Sequence, residues 1–361
     1  MNNQDIQKFI CMADITLVSA MQAINSNTDK NKIVFLVDAS RKLVACLTDG
    51  DIRRFLLSGG KLDSPAIQAA NLIPKTACSQ EEAKKLYHEK DYIVIPIVDS
   101  NGIIIDLYNG NGSAVKARPQ LNVPVVINAG GRGTRLDPFT KVLPKPLIPV
   151  GELPIIELIM KEYQSYSCND FHIIVNYKRE LMKAYFADDE KQYNITWYDE
   201  DKPLGTGGGL SLLKGKLHDT FFFANCDALL TANYERMLQF HKENGNVITM
   251  ICAYKTMSIP YGIVEIGLNG KIDRMQEKPS MSFLTNTGIY IVEPEVVEDI
   301  EKDTPIGFPD IIEMERKKGK KTAVFPVSEN DWMDMGQLSE LEKMRAKLNE
   351  RKSSIATVCN E

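Results

Sequence analysis

The chain has 361 residues, 43% of them hydrophobic and 25% charged, which is the composition of an ordinary globular protein. The net charge of -5 gives no support for a nucleic-acid partner, no apolar run reaches the roughly 20 residues of a membrane span, and the first residues lack the pattern of a secretory signal. The seven cysteines are scattered without C-x-x-C spacing, so we expect a reducing cytoplasm, with neither disulfides nor structural zinc.

This length predicts two domains, which the sequence pattern assigns to residues 1–115 and 122–352. The first of them consists of two similar halves, each with a helix, a strand, a turn and a second strand, and such a repeat suggests two small units that bury their apolar faces against each other. Residues 109–122, rich in Asn, Gly, Pro and Ser, are the predicted linker. The predicted elements are a helix beginning at 16–24, strands Ile33–Val37 and Leu43–Leu47, helix Gln80–Glu89, and strands Tyr92–Val98 and Ile103–Leu107.

The first half ends with the motif T-D-G-D-I-R-R at residues 48–54. The order of helix, strand, turn and strand followed by this motif resembles a CBS-domain pair, which has an α+β fold. The resemblance implies that Thr48 and Asp51 grip the ribose of an adenosine nucleotide such as AMP or ATP, although Asp51 could equally cap the helix that follows. The second half has no T-x-x-D after Leu107, so we expect at most one ribose site of the usual kind. CBS pairs tend to associate, which favours a homodimer.

Beyond the linker, predicted strands alternate with predicted helices. This alternation predicts an α/β fold, a Rossmann-like and mainly parallel sheet with helices on both faces. Ligands of such sheets bind at the carboxyl ends of the strands. The predicted strands are Val123–Ile127, Phe171–Val175, Ile195–Tyr198, Thr220–Ala224, Val247–Ala253 and Thr322–Val327; the predicted helices are Pro154–Ser165, Lys178–Phe186, Gly208–Leu213, Tyr234–Glu243 and Leu338–Glu350.

The most informative motif is N-A-G-G-R-G-T-R-L at residues 128–136, with L-P-K-P-L at 143–147. Three glycines let the backbone approach a ligand and point N–H groups at anionic oxygens, although a glycine-rich loop after a strand is often only a tight turn. The whole string resembles the signature of sugar-1-phosphate nucleotidyltransferases. That resemblance implies that Arg135 steadies the leaving pyrophosphate and that Lys145 faces the α-phosphate. The triphosphate would be cradled by Ala129, Gly130, Gly131, Gly133 and Thr134.

A second glycine-rich loop, P-L-G-T-G-G-G-L, occupies residues 203–210 and could simply begin a helix. It also resembles the loop that packs against base and ribose in the same family, which implies nucleotide contacts at Gly205 and Thr206. This version of the loop looks more like that of guanylyl-transferring members than that of thymidylyl- or adenylyl-transferring ones. GTP is therefore the expected nucleotide.

Two aspartates are candidate metal ligands. Asp227 follows an apolar strand in the motif N-C-D, which resembles the family's N-G-D with Cys226 in place of the usual glycine. Asp334 lies in the motif W-M-D-M-G, which resembles the family's W-x-D-x-G. Each has an ordinary alternative, a turn residue for Asp227 and a helix cap for Asp334. Because two carboxylates and several phosphate oxygens are a typical set of ligands for a hard cation, we expect the cofactor to be Mg2+.

Three further motifs resemble the part of the family that meets the sugar phosphate: Y-G-I-V, E-K-P and N-T-G-I-Y. The resemblance implies that backbone groups at Gly262 meet the sugar, that Glu277 binds sugar hydroxyls, that Lys278 binds the acceptor phosphate, and that Asn286 lines the sugar pocket. A Glu-Lys pair alone is usually a solvated surface feature, so the order of all the motifs carries this prediction.

The predicted reaction converts a nucleoside triphosphate and a sugar 1-phosphate into a nucleotide-sugar and pyrophosphate. A CBS pair followed by this transferase resembles the glucosamine-1-phosphate guanylyltransferases of bacterial nonulosonate (GDP-legionaminic acid) synthesis, which implies GTP and glucosamine 1-phosphate as substrates. The alternatives are a mannose-1-phosphate guanylyltransferase, another hexose-1-phosphate nucleotidyltransferase, or a nucleotide-sensing regulatory protein with an idle transferase fold. The presence of Arg135, Lys145, Asp227 and Asp334 argues against the last of these.

Overall fold

The computed structural model describes residues 6–26, 32–89, 92, 94–109, 119–187 and 193–346. The chain forms two compact units. The N-terminal unit comprises Met1–Lys116 together with Tyr254–Leu284, and the sheet unit comprises Ala117–Ala253 together with Thr285–Glu361. None of the described helices combines the length and the apolar character needed to cross a membrane.

The N-terminal unit contains the repeated order of helix, strand, turn and strand. Its first helix buries Leu17, Ala20, Met21 and Ile24, a spacing that gives one apolar helical face, and the strand after it is buried along its whole length. The elements are β1 (Ile10–Met12), α1 (Leu17–Ser26), β2 (Ile33–Val37), β3 (Leu43–Thr48), α2 (Asp49–Leu57), α3 (Gln80–Glu89), β4 (Ile95–Val98) and β5 (Ile104–Tyr108). Strand β2 pairs with β1 in parallel and with β3 antiparallel, and β4 pairs antiparallel with β5.

From Ala117 onward the chain adds the strands and helices of the sheet unit and one hairpin of the N-terminal unit. They are β6 (Val125–Asn128), α4 (Phe139–Val142), β7 (Pro149–Val150), β8 (Leu153–Pro154), α5 (Ile155–Gln164), β9 (Asp170–Val175), α6 (Arg179–Phe186), β10 (Asn194–Asp199), β11 (Phe221–Asn225), β12 (Ala228–Leu230), α7 (Tyr234–Glu243), β13 (Ile248–Ser258), β14 (Ile263–Ile266), β15 (Ile272–Gln276), β16 (Ser280–Val292), α8 (Pro294–Asp299), α9 (Phe308–Lys317), β17 (Thr322–Val327) and β18 (Trp332–Asp334).

A seven-stranded sheet in the order β10-β9-β6-β11-β16-β13-β17 is the centre of the sheet unit. Strands β10, β9, β6 and β11 are parallel, as are β13 and β17, whereas β16 runs antiparallel to β11. The predicted α/β fold with a mainly parallel sheet is therefore confirmed. Both faces of β11 are covered, since Phe222 packs with Tyr163 while Phe223 packs in a separate apolar cluster with Phe308.

In the sheet unit, predicted elements differ from the structure in two places, and one further element is described only in part. Residues Gly208–Leu213 form a 3-10 helix, and the backbone N–H of Gly208 is held by the carbonyl oxygen of Ile306. The strand predicted to end at Ala253 continues to Ser258 as β13. The last predicted helix is helical at 338–346, and its remaining residues lie outside the described part of the chain, as do residues 110–118 of the predicted linker.

A hairpin arm, defined here as residues 255–284, completes the N-terminal unit. The ends of β13 and β16 are linked by side-chain hydrogen bonds between Thr256 and Ser282 (Oγ1 to Oγ, 3.0 Å) and between Ser258 and Ser280 (2.9 Å). Beyond these links, β14 and β15 pair antiparallel. The arm is thus a continuous two-stranded element within this unit.

Candidate active site

The loop after β6 brings a glycine against a lysine. Gly133 has φ of 67°, a left-handed conformation that favours glycine, and a Cβ atom placed on it would lie 2.8 Å from Cβ of Lys145. The loop then forms a short 3-10 turn, Thr134–Leu136, whose Leu136 is fully buried. This buried side chain fixes the glycine-rich loop beside Lys145.

Lys145 and Asp227 form an ion pair at the end of β11. Lys145 is only 8% exposed, and its Nζ donates a hydrogen bond to Oδ2 of Asp227. Asp227 lies in the turn between β11 and β12, as the turn-residue alternative predicted. The sequence motifs at 128–147 and 225–227 therefore meet in space.

Asp334 joins the same cluster through the pairing of two short strands. Strand β18 pairs antiparallel with β12, and the backbone N–H of Met335 donates to the carbonyl oxygen of Asp227 over 3.0 Å. Burial, followed by the negative charge of Asp227, raises the pKa of Asp334 to about 6, while Lys145 and Arg135 oppose the rise. Asp334 lies in a strand rather than at the first residue of the final helix, so the helix-cap alternative is wrong.

The donor set of this cluster fits a divalent cation. Asp227 and Asp334 are close enough for the charge of one to raise the pKa of the other, and a cation between them would relieve that repulsion. No group of three or more His, Cys, Asp or Glu side chains suited to a metal was found in the described ranges. The two carboxylates would therefore supply part of a coordination shell, to which phosphate oxygens of a substrate could add.

The unusual Cys226 is accommodated by the core. Its side chain is 7% exposed and belongs to the large apolar cluster of the sheet unit, and burial raises the pKa of its thiol to about 12. Its backbone N–H donates to the carbonyl oxygen of Asn128 over 3.2 Å. The thiol is thus buried in the core while the backbone of Cys226 makes the strand-end hydrogen bond to Asn128.

Asn128 links the two glycine-rich loops. Its Nδ2 donates to the carbonyl oxygen of Thr206 over 3.2 Å and, more weakly, to that of Gly205 over 3.5 Å. The hydroxyl of Thr206 accepts a hydrogen bond of 3.0 Å from the backbone N–H of Phe308, which holds the loop to the start of α9. The predicted nucleotide-binding segments are therefore neighbours at the carboxyl ends of the strands.

Glu200 is a buried carboxylate that the sequence reasoning did not select. It is 3% exposed, its Oε1 has no hydrogen-bond partner, and burial raises its pKa to about 7. A Cβ atom on Gly130 would lie 2.7 Å from Oε2, and one on Gly209 would lie 2.5 Å from Oε1. The glycines thus make room for a carboxylate directly beneath the loop. In the sequence, Glu200 is an acid directly after the residues that form β10. It lies between two other acids in D-E-D-K, so the sequence does not single it out as the buried one.

Two of the predicted acceptor motifs meet in the hairpin arm. Ile263 pairs with Gln276, and this register brings Gly262 beside Glu277, where a Cβ on the glycine would lie 2.8 Å from Oε2 of the glutamate. Lys278 follows with φ of 43°. These residues belong to the N-terminal unit, whereas the Lys145 cluster belongs to the sheet unit.

Asn286 is part of the sheet unit, and its side chain is engaged within its own strand. Its Nδ2 donates to the hydroxyl of Tyr290 over 2.6 Å, and its Oδ1 accepts a 2.9 Å hydrogen bond from the backbone N–H of Gly288. These contacts surround Gly288, which lies inside β16 with a left-handed φ of 75°. Asn286 therefore shapes the backbone in the middle of β16, the strand that the sequence predicted to line the sugar pocket.

Thr48 and Asp51 form a capping box at the start of α2. The backbone N–H of Asp51 donates to Oγ1 of Thr48, while Oδ2 of Asp51 accepts from the backbone N–H of Thr48 over 2.9 Å and from its hydroxyl over 2.6 Å. Arg54 pairs with the other carboxylate oxygen of Asp51. The capping interpretation is thus confirmed.

Comparison with known proteins identifies the class to which this fold and site belong. Residues 124–351 match the family model described as nucleotidyl transferase, and the chain belongs to that family. It is similar to the mannose-1-phosphate guanyltransferases of Saccharomyces cerevisiae (34% identical over 228 residues, 59% of this chain and 61% of that protein) and Schizosaccharomyces pombe (35% over 233 residues, 59% and 60%). The chain thus spans about three fifths of the length of these relatives.

A solved structure shows the same fold. The crystal structure of HddC from Yersinia pseudotuberculosis covers 63% of this chain and 99% of its own, with a TM-score of 0.50 and 21% sequence identity. At that identity the likeness concerns the fold alone.

Proposed function

We propose that the chain transfers a guanylyl group from GTP to a sugar 1-phosphate and releases pyrophosphate. The observation that carries this proposal is the gathering of Lys145, Asp227 and Asp334 beside the glycine-rich loop at the carboxyl ends of the strands. An ion pair and a second carboxylate, in contact with a loop suited to phosphate, are the parts that the transfer of a phosphoryl centre between two polyanions needs.

The proposed chemistry asks for charge and position rather than for a base. A phosphate oxygen of the sugar 1-phosphate attacks the α-phosphorus in line, and the bond to pyrophosphate breaks. Because the nucleophile is already an anion, no proton has to be removed. The backbone around Gly130, Gly131 and Gly133 would hold the triphosphate, and Arg135 would steady the departing pyrophosphate.

Lys145 has the central role in this scheme. Its buried ammonium would face the α-phosphate and offset the negative charge that grows there during transfer. Asp227 and Asp334 would hold Mg2+, which, when bound, supplies further positive charge to the phosphate oxygens. Lys278 would bind the acceptor phosphate and Glu277 the sugar hydroxyls.

The sugar has two candidates. The arrangement of an N-terminal CBS-like segment before the transferase favours glucosamine 1-phosphate and a role in nonulosonate (legionaminic acid) synthesis. The similarity to mannose-1-phosphate guanyltransferases favours mannose 1-phosphate. Both readings use the same nucleotide, and we take glucosamine 1-phosphate as the first candidate.

For the N-terminal unit we propose a regulatory role as a CBS-like pair in a homodimer. The repeated helix–strand–turn–strand order supports it, as does the presence of Thr48 and Asp51 at the N-terminal cap of α2. To bind a ribose of AMP or ATP, these side chains would have to exchange part of the capping box for the ligand's hydroxyls. Comparing nucleotide binding by the wild-type chain and by Thr48→Ala/Asp51→Ala would test this role, and equal binding would refute it.

A substrate grid would test the transferase proposal. Pyrophosphate release would be measured with magnesium and each of four nucleoside triphosphates, crossed with glucosamine, N-acetylglucosamine, mannose and glucose 1-phosphates. We expect turnover with GTP and glucosamine 1-phosphate. Turnover confined to mannose 1-phosphate would change the assigned sugar from glucosamine 1-phosphate to mannose 1-phosphate. Absence of turnover with every pair of substrates would contradict the proposed activity.

A further inference from the structure

Tyr254, the residue directly before the hairpin arm, lies in the core of the N-terminal unit. It lies in β13, is 4% exposed, and belongs to the apolar cluster that contains Leu17 of α1 and Ile52 of α2. Its hydroxyl is buried and has no hydrogen-bond partner. Since an unpaired buried hydroxyl opposes folding, the packing of the ring must be what keeps this side chain in the core.

The phenol lies at the first turn of α2. Burial and the negative charge of Asp49 raise the pKa of Tyr254, and Arg53 opposes that effect, so both charged side chains are near the hydroxyl. Asp49 and Arg53 form an ion pair of 3.1 Å on the same helix. This is also the helix that Thr48 and Asp51 cap at its N-terminus.

The arm begins directly after this anchor. Side-chain hydrogen bonds link the two strands at Thr256–Ser282 and again at Ser258–Ser280, and the backbone N–H of Ile259 donates to the carbonyl oxygen of Pro279 over 2.9 Å. The next paired residues bring Gly262 beside Glu277. A continuous ladder of contacts therefore runs from the core of the N-terminal unit to the two motifs assigned to the acceptor sugar.

We propose that Tyr254 is a positioning residue for acceptor binding: by fixing the root of the hairpin arm on α1 and α2, it holds Gly262 and Glu277 in the geometry that a sugar 1-phosphate requires. This inference depends on the proposed function, because it takes the arm as the acceptor-binding element. The N-terminal unit thereby contributes to acceptor affinity even without a ligand of its own.

Steady-state kinetics of the full chain would test the effect on the acceptor. Tyr254→Ala should raise KM for the sugar 1-phosphate about tenfold and leave KM for GTP within about twofold, because the arm contains no residue assigned to the nucleotide. Tyr254→Phe should keep wild-type KM values, since the ring rather than the unpaired hydroxyl is the anchor. Phe9→Ala is the matched control, because Phe9 is an equally buried aromatic residue of the same unit in a separate apolar cluster.

Hydrogen–deuterium exchange would examine the anchor independently of activity. Tyr254→Ala should speed exchange of the amides in β14 and β15, while Phe9→Ala should leave them unchanged. Unchanged exchange in Tyr254→Ala would overturn the inference. So would KM values for the sugar 1-phosphate and for GTP that shift equally, and by the same factors in Tyr254→Ala as in Phe9→Ala. If the wild-type chain turned over no sugar 1-phosphate while Tyr254→Ala still loosened the arm, the proposed function would fail and the anchor would remain.

Discussion

Lys145 offers the sharpest test of the active-site assignment. Its side chain is 10% exposed and paired with Asp227, and its charge also acts on Asp334. Lys145→Met keeps most of the length and the apolar stem while removing the charge. If Lys145 faces the α-phosphate, the variant loses one electrostatic donor to the transition state, which costs roughly 2–4 kcal/mol and corresponds to about a 30- to 900-fold fall in kcat.

The assay is pyrophosphate release at saturating substrates, with Lys141→Met as the control. Lys141 is an exposed lysine four residues earlier on the same segment, so the control removes the same charge from a solvated position. We expect the control to stay within about twofold of wild type, as is usual for surface substitutions. A kcat of Lys145→Met within threefold of wild type, in a folded protein, would refute the role assigned to Lys145.

Three further predictions concern the loops around this site. Arg135→Lys should lower kcat by at least about tenfold, because a point charge cannot replace a bidentate guanidinium; equal activity in the pyrophosphate assay would argue against a role for Arg135 on the leaving group. Asn128→Ala should raise KM for GTP, and Asn128→Asp should raise it more because a carboxylate would face the carbonyl oxygens of Gly205 and Thr206; the reverse order in initial-rate assays would contradict this. Glu200 has its pKa raised from 4.5 to about 7, so its contribution to stability is complete below about pH 4.5 and declines as the pH rises through 7. Relative to Glu200→Gln, the wild type should therefore lose up to about 3 kcal/mol of unfolding free energy between about pH 5 and pH 8, measured by urea denaturation; parallel pH profiles would show that burial does not hold this proton.

The sequence was most informative about the candidate site at residues whose type has few ordinary roles in local structure. Gly133 lies against Lys145, and Asp227 follows β11, so a parallel sheet predicts its place at a strand end. Asp334 instead reaches this cluster through the antiparallel pairing of β18 with β12, which the alternation of strands and helices does not predict. Glu200 escaped prediction because its burial arises from two glycines, at 130 and 209, that are far apart in the chain.

The membership of Tyr254–Leu284 in the N-terminal unit was also beyond the reach of periodicity. The apolar pattern of β13 predicts a buried strand, but not which core buries its end. That choice depends on contacts between Tyr254 and residues more than two hundred positions earlier, such as Leu17. Local spacing contains no information about such pairs.

The two units of this chain cannot be separated by cutting the backbone at a single bond. Because Tyr254–Leu284 folds with Met1–Lys116, the sheet unit is interrupted by part of the other unit. A fragment beginning at Ala117 would keep the ring of Tyr254 and lose the helices that cover it. Replacing only the N-terminal segment by another would leave Tyr254 without the helices that it packs against. The end of β13 would therefore have to change together with the new segment. A truncation meant to isolate either unit would therefore have to treat Tyr254–Leu284 together with Met1–Lys116.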